Sequence, residues 1–526
     1  MPNIEIILIL LFAVALVAIL ARRIKVPYPI LLVLVGLLLG FVPGLPRIQL
    51  APDLVFLVFL PPLLYSDAWT TSWRDFRADL RNISLLAIGL VIATTVVIAV
   101  VAHAIVPGFS WAEAFVLGAI VSPTDAVASS SIAERLGLPR RIITIVDGES
   151  LVNDATGLVT YRFAVAAVVT GVFSLFAASL EFVVVVIGGV LIGLLIGWLT
   201  TQLERYLDDT PIEITFSFLT PFAAYIPAEA LGVSGVLAVV VAGLYAGRRS
   251  SRVISPASRL QAEIVWNMVT YLMNGLLFIL IGLQLRTLLD LIPGESLAAL
   301  IGYGALISLA VILVRLAWVF PGAYLPRYLF PKVRKRDPYP SWHSVAAIGW
   351  MGMRGVLSLA AALSLPMALA SGARFTNRPI IIFLTFCVIL ATLVGQGLTL
   401  PAVIRWLKVG GDDSAEREEQ IARLETARAA IDRIGALEGA DWVTAESIEY
   451  MRSMHEHRAH RYDGDGDQEE AERDRQEDAT TRHLKREVLD AERSALIRLR
   501  DSGTINDMVL RRIERELDLQ ETWLQA

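Results

Sequence analysis

Long apolar runs follow one another from the N-terminus to about Gly410, separated by short polar loops. A hydrocarbon core about 30 Å thick needs about 20 helical residues to cross it. The runs that meet or approach this length are 4–21, 28–45, 53–69, 83–106, 112–134, 142–170, 179–203, 211–227, 231–247, 264–285, 297–325, 342–369 and 379–406, thirteen in all. Unbroken runs read as helices, because backbone groups in lipid must be satisfied within the segment. The expectation is an all-α membrane protein of thirteen transmembrane helices.

Loop charges orient those helices. With the N-terminus outside, the inside loops hold Arg22, Arg23, Lys25, Arg74, Arg77, Arg81, Arg135, Arg140, Arg141 and Arg205. They continue with Arg248, Arg249, Arg252, Arg259, Arg327, Lys332, Arg334, Lys335 and Arg336. The outside loops hold only Arg47, Arg286, Arg374 and Arg378. Nineteen against four, alternating loop by loop, is a positive-inside bias that an error of one helix would scramble. The expected topology is multi-pass in the cell membrane, N-terminus outside and C-terminus cytoplasmic. The first basic cluster follows the first apolar run, so that run reads as a retained helix and not a cleaved signal.

Composition changes the picture beyond residue 410. The formal charge of −5 is the sum of unlike parts: the chain from Gly411 holds 30 acidic and 18 basic residues, and the rest is net positive. This predicts two domains, 1–410 in the membrane and an acidic, helical, cytosolic tail over 411–526, with a regulatory role. Tail helices are expected at Ile421 to Gly435 and Leu484 to Arg500. The acidic stretch Asp463-Gly464-Asp465-Gly466-Asp467 lacks the features of a calcium loop, since Gln468 stands where the turn glycine belongs and Asp474 replaces the closing Glu. It reads as a solvated loop. Four of the six histidines, His455, His457, His460 and His483, fall in the tail and read as exposed bystanders. Cys387, the only cysteine, forms no internal disulfide.

Ionisable residues inside membrane segments cost several kcal/mol and mark a pathway or a pairing. Most segments have none near the middle; the exceptions are Asp67 near the inner end of the third, Asp125 in the fifth, Glu149 and Asp154 in the sixth, Glu263 at the edge of the tenth, Arg315 in the eleventh and Arg354 in the twelfth. At about 1.5 Å per residue from Ile142, Asp154 lies near the midplane. Ser150, four residues earlier, shares its face, and Asn153 is adjacent. Pro123, within Ser122-Pro123-Thr124-Asp125, removes a backbone donor and predicts a break in the fifth segment. Glycines 349, 352 and 355 around Arg354 predict another in the twelfth. Two interrupted helices in corresponding places point to a transporter of two inverted six-helix repeats, 1–170 and 211–406, whose site lies where the breaks cross. Arg315 needs a buried partner, and Glu149, which points away from Asp154, is the available membrane carboxylate, so a structural ion pair is expected. Gly189, Gly193 and Gly197 allow close helix packing, either within one chain or in a dimer. An internal polar network that only packs helices together is the alternative reading of these polar residues.

The runs Ser122-Pro123-Thr124-Asp125-Ala126-Val127-Ala128 and Gly148-Glu149-Ser150-Leu151-Val152-Asn153-Asp154-Ala155 resemble bacterial sodium/proton antiporters of the monovalent cation:proton antiporter-1 family, relatives of the eukaryotic sodium/proton exchangers. The stretches from Leu60 to Ala68, Asn274 to Leu285 and Gly352 to Gly355 also match, and the likeness spans residues 1–406. It implies a homodimer whose core moves against a dimerisation part. It also implies Asp154 as the shared carrier of cation or proton, with Ser150 and Thr124 as further ligands and Asn153 steadying the unwound region. Asp125 belongs to the same site and Asp67 to its edge, and the Glu149–Arg315 pair is supported. The physical logic is competition: a mid-membrane carboxylate is costly when charged and unpaired, so a proton or a cation must neutralise it before it crosses. Asn153 stands where a second carboxylate would carry a second proton, so electroneutral one-for-one exchange is expected. Sodium is favoured by resemblance alone; potassium or broad monovalent exchange is the alternative. A membrane sensor or channel signalling through the tail is a remote reading, since no kinase, cyclase or nucleotide-binding motif occurs. No enzymatic activity, cofactor, nucleic acid or soluble protein partner is implied; membrane lipids are.

Overall fold

The computed structural model describes residues 2–24, 26–42, 50–171, 175–207, 209–290, 296–368, 374–410, 414–438, 440, 442–462 and parts of 484–521. Lys25, Arg47, the acidic stretch from 463 to 474 and His483 lie outside the described residues. Contacts divide the chain into two compact units, Met1–Asp412 and Asp413–Ala526.

Among the described residues of the first unit, each predicted apolar run contains helix, two of them with interruptions. Among the described residues, six helical stretches are long and apolar enough to cross a membrane: Leu80–Ile105, Trp111–Arg135, Ala178–Glu204, Pro256–Asp290, Leu297–Leu329 and Arg378–Leu407. Two of the others show why they fall short of that measure. Tyr28–Gly40 has only 13 residues, and Arg140–Thr170 carries Asp147, Glu149, Asp154 and Arg162 along its length. Helix starts have local causes. Ser110 and Glu113 form a reciprocal capping box ahead of Trp111, and Asp209, Ser234, Ser296 and Ser341 each cap the helix that follows.

Among the described residues three helices contain a widened π turn, at Val55–Phe59, Leu85–Leu90 and Ala391–Gln396. The first precedes Pro61 and Pro62, which cannot donate to the carbonyls of residues 57 and 58. No periodicity argument anticipated these turns.

Packing follows small residues. Helix Tyr28–Gly40 lies along Pro256–Asp290, and both Leu60–Thr70 and Leu175–Glu204 lie along Gly235–Val253. The stripe of Gly189, Gly193 and Gly197 faces that last helix, so its partner is within the chain. A Cβ on Gly193 would meet the Ala238 carbonyl oxygen at 2.4 Å. Glu263 is exposed on Pro256–Asp290.

In the second unit, Ser414–Ala436 and Ala445–Tyr462 pack together, and Arg423 donates to the Tyr462 hydroxyl at 2.8 Å. Leu489, Leu496, Leu510 and Leu517 form a small apolar cluster. His455, His457 and His460 ride on Ala445–Tyr462.

Candidate functional site

Two helices are interrupted, and their breaks cross. Trp111–Val121 ends before Pro123, and a new helix, Ala126–Arg135, starts after Asp125. The Asp125 carboxylate caps that second half by accepting from the Val127 N–H at 2.9 Å. In the other interrupted helix, Trp342–Trp350 gives way to extended residues before Val356–Leu363. The Asp125 N–H donates across to the Met353 carbonyl at 2.8 Å, tying the breaks together. Gly355 is required there, because a Cβ would fall 1.8 Å from the Asp125 carboxylate.

Broken helices leave carbonyls without intrahelical partners and concentrate negative charge at their C-terminal ends. Arg354, fully buried, meets that need. Its Nε donates to the Val121 carbonyl at 3.1 Å and its Nη1 to the Gly352 carbonyl, while its own N–H donates to Thr392 Oγ1. Its Nη2 has no partner among the described residues.

Asp154 lies near the middle of the continuous helix Arg140–Thr170. One turn before it, the Ser150 hydroxyl donates to the Thr124 carbonyl at 3.0 Å and accepts from the Ala126 N–H at 3.3 Å. Ser150 thus bridges the broken segment. Asn153 donates to Thr124 Oγ1 at 2.7 Å, and the Thr124 hydroxyl donates to Glu149 Oε1 at 2.9 Å. Glu149 in turn forms a two-pronged pair with Arg315, Nη2 to Oε2 at 2.8 Å, and Arg315 also donates to the Ile348 carbonyl. Thr124, Asn153, Glu149 and Arg315 are buried, and Ser150 is partly so.

Asp154 differs from its neighbours. It accepts no hydrogen bond from the protein among the described residues, and it faces a cavity of about 70 Å³. That is room for about two waters at roughly 30 Å³ each, or a small cation with part of its hydration. Asp67, Asp125, Thr124, Ser150 and Ser358 share the lining. Of the lining residues on the helix that carries Asp67, Asp67 is exposed while Val55 and Phe59 are buried. The donor set is all oxygen, suited to a hard cation or a proton.

Two expectations shift with this geometry. The Thr124 hydroxyl, expected to face the ion, is engaged by Glu149 and Asn153. The Glu149–Arg315 pair, read as separate from the site, reaches it through that hydroxyl. Other residues were missed altogether. Glu204 and Glu213 are buried, with Glu213 Oε2 lacking a partner among the described residues. Arg162 pairs with Glu229, linking the Asp154 helix to Thr210–Ala230. Asp337 accepts from Arg81 (2.7 Å), Arg141 (2.9 Å) and Arg327 (2.6 Å), and Arg141 also grips buried Asp79. These arginines counted only as topology charges; the signal overlooked was an aspartate, Asp79 and Asp337, in two of the three basic loops involved.

Comparison with known proteins agrees with this arrangement. The sequence pattern of the transmembrane sodium/hydrogen exchangers matches residues 8–406. An uncharacterized Na+/H+ exchanger of Mycobacterium tuberculosis is 38% identical over 523 residues, covering 99% of this chain and 96% of that protein. A sodium, potassium, lithium and rubidium/H+ antiporter of Bacillus subtilis is 36% identical over 412 residues, covering 75% of this chain and 60% of its own length. Among solved structures, the sodium proton antiporter MjNhaP1 of Methanocaldococcus jannaschii at pH 8 superposes with a TM-score of 0.61 at 18% identity, over 77% of this chain and 98% of that one. The first two likenesses speak for kinship and the last for the fold. The chain belongs to the sodium/hydrogen exchanger family.

Proposed function

We propose that this protein exchanges sodium for protons across the cell membrane by alternating access, with Asp154 as the single carrier. The observation that carries the reading is the contrast at the site. Ser150, Asn153, Thr124 and Glu149 are all hydrogen-bonded, while the Asp154 carboxylate faces the cavity with no protein partner among the described residues. A buried, unpaired carboxylate is costly, so it must hold a proton or a cation before the site can move. That requirement couples the two fluxes. Ser150 and the backbone of Thr124 stand near enough to complete an oxygen shell, with Asp125 and Asp67 lining the approach.

The reading includes thirteen membrane passes in two inverted repeats, an outside N-terminus, a homodimer and a regulatory tail. On the orientation that the loop charges favour, exposed Asp67 lies toward the cytoplasm and the Arg162–Glu229 pair toward the outside. With Asn153 in place of a second carboxylate, exchange is one for one.

The test is a reconstituted vesicle assay in which a cation gradient dequenches a pH dye. Wild type should respond to sodium, and Asp154→Asn should abolish the response while purifying as folded protein. Exchange surviving in that variant overturns the assignment of Asp154, and a sodium gradient that moves net charge overturns the stoichiometry. The broad-range name of the Bacillus subtilis relative favours a second reading, in which potassium drives the same exchange. The same assay with potassium decides between them.

A further inference from the structure

The stretch that follows helix Leu297–Leu329 carries chemistry that the transport site does not use. At the end of that helix, Phe320, Pro321, Tyr324, Leu325, Tyr328 and Tyr339 line an open groove of about 450 Å³. The rings of Phe320, Tyr324 and Tyr339 stack in a row, at 6.5 and 6.1 Å between centroids, and form its wall. Nothing in the described residues covers it, and Tyr328 is 76% exposed. Immediately beyond, the short helix Pro331–Arg336 presents Lys332, Arg334 and Lys335 to solvent. None of the three side chains has an ion pair or hydrogen bond among the described residues. They contrast with Arg327, a few residues earlier, which is fully engaged by Asp337 and the backbone.

An apolar, aromatic groove beside unpaired cations is complementary to a molecule with a hydrocarbon part and an anionic head. Tyrosines favour the level where hydrocarbon meets headgroups, and basic clusters just cytoplasmic of a membrane helix attract anionic lipid. We infer that this is a binding site for one anionic phospholipid of the cytoplasmic leaflet, its acyl chain in the groove from Phe320 to Tyr339 and its phosphate among Lys332, Arg334 and Lys335. A soluble acidic peptide would satisfy the cations but leave the groove bare, and a neutral lipid would do the reverse. The segment is also connected. It runs into Asp337, whose carboxylate holds Arg327 of the same helix end together with Arg81 and Arg141 from two other parts of the fold. A lipid here would steady the clamp on the inner ends of those helices.

The inference rests on the proposed orientation only in assigning the leaflet, and its test is independent of transport. Purified full-length protein in detergent is titrated with phosphatidylglycerol or phosphatidylcholine, reading bound lipid by native mass spectrometry and the melting temperature in parallel. Phosphatidylglycerol should bind saturably and raise the melting temperature; phosphatidylcholine should bind far more weakly. Each basic residue near an anionic headgroup contributes about fivefold in affinity, so the triple variant K332Q/R334Q/K335Q should bind phosphatidylglycerol on the order of 100-fold more weakly. A groove variant, L325S/Y328S, keeps all three cations and should also lose the saturable component. These side chains are exposed, so both variants should elute as folded protein. Equal response to the two lipids overturns the site, as does either variant binding like wild type. Glycerol phosphate reproducing the stabilisation overturns the lipid in favour of a free phosphate compound. Saturable protection by self-association alone, rising with protein concentration and not with lipid, assigns the groove to a second copy and likewise overturns it.

Discussion

A guanidinium at the middle of a membrane helix needs a carboxylate, and Arg315 has Glu149. Both side chains are almost entirely inaccessible, and the Arg315 guanidinium is further satisfied by the Ile348 carbonyl. Removing one partner leaves an uncompensated buried charge, which costs about 3–5 kcal/mol. Arg315→Met should therefore lower the melting temperature sharply, and adding Glu149→Gln should recover part of the loss. A double variant as unstable as the single one would show that the pair is not the source. This contact was legible in the sequence because a buried charge has few affordable partners, and the membrane segments offer few carboxylates. The partner of Thr124 was not legible. A hydroxyl is satisfied by almost any acceptor within reach, so only the fold reveals that it joins Glu149 to Asn153.

At the scale of elements, the two breaks were readable from Pro123 and from the glycines around Arg354, since each weakens the helix locally. Which helix a small-residue stripe packs against was not. The Gly193 position would place a Cβ 2.4 Å from the Ala238 carbonyl and 2.8 Å from the Val241 Cβ, neither of which can yield easily. Gly193→Leu should thus push Leu175–Glu204 off Gly235–Val253 and cost about 1–3 kcal/mol, as overpacking typically does. Gly302 has open space around it and makes the control. Gly302→Leu should melt near wild type. If the two variants melt alike, the close approach at Gly193 is not sustaining the packing.

For the membrane unit as a whole, Asp337 ties together strands of chain far apart in sequence. Burial pushes its carboxyl up, but the hydrogen bond and charge of Arg141, with the charges of Arg327 and Arg81, more than offset this and hold it below its ordinary 3.8. Because the folded value is depressed, the stabilisation is complete above about pH 4 and fades as pH falls through the lower folded value. Asp337→Asn should therefore melt earlier than wild type at neutral pH, and the gap should close as the pH is lowered below 3.8. A gap that persists undiminished in acid would mean that the carboxylate's charge is not what holds the clamp.

The sequence by itself determined the apolar segments, the position of Asp154 within its helix, both interruptions and the kinship with sodium/hydrogen exchangers. Those follow from hydropathy, proline, glycine and short motifs, which act locally and sum along the chain. The tertiary structure alone decided the role of the Thr124 hydroxyl, the partner of the glycine stripe, the widened turns, the Arg162–Glu229 link and the Asp337 clamp. Each of these depends on which of several equivalent groups comes within about 3 Å, the reach of a hydrogen bond. Surface arginines and aspartates have water as an alternative partner, so no burial cost singles out their pairing in advance. Only packing selects it.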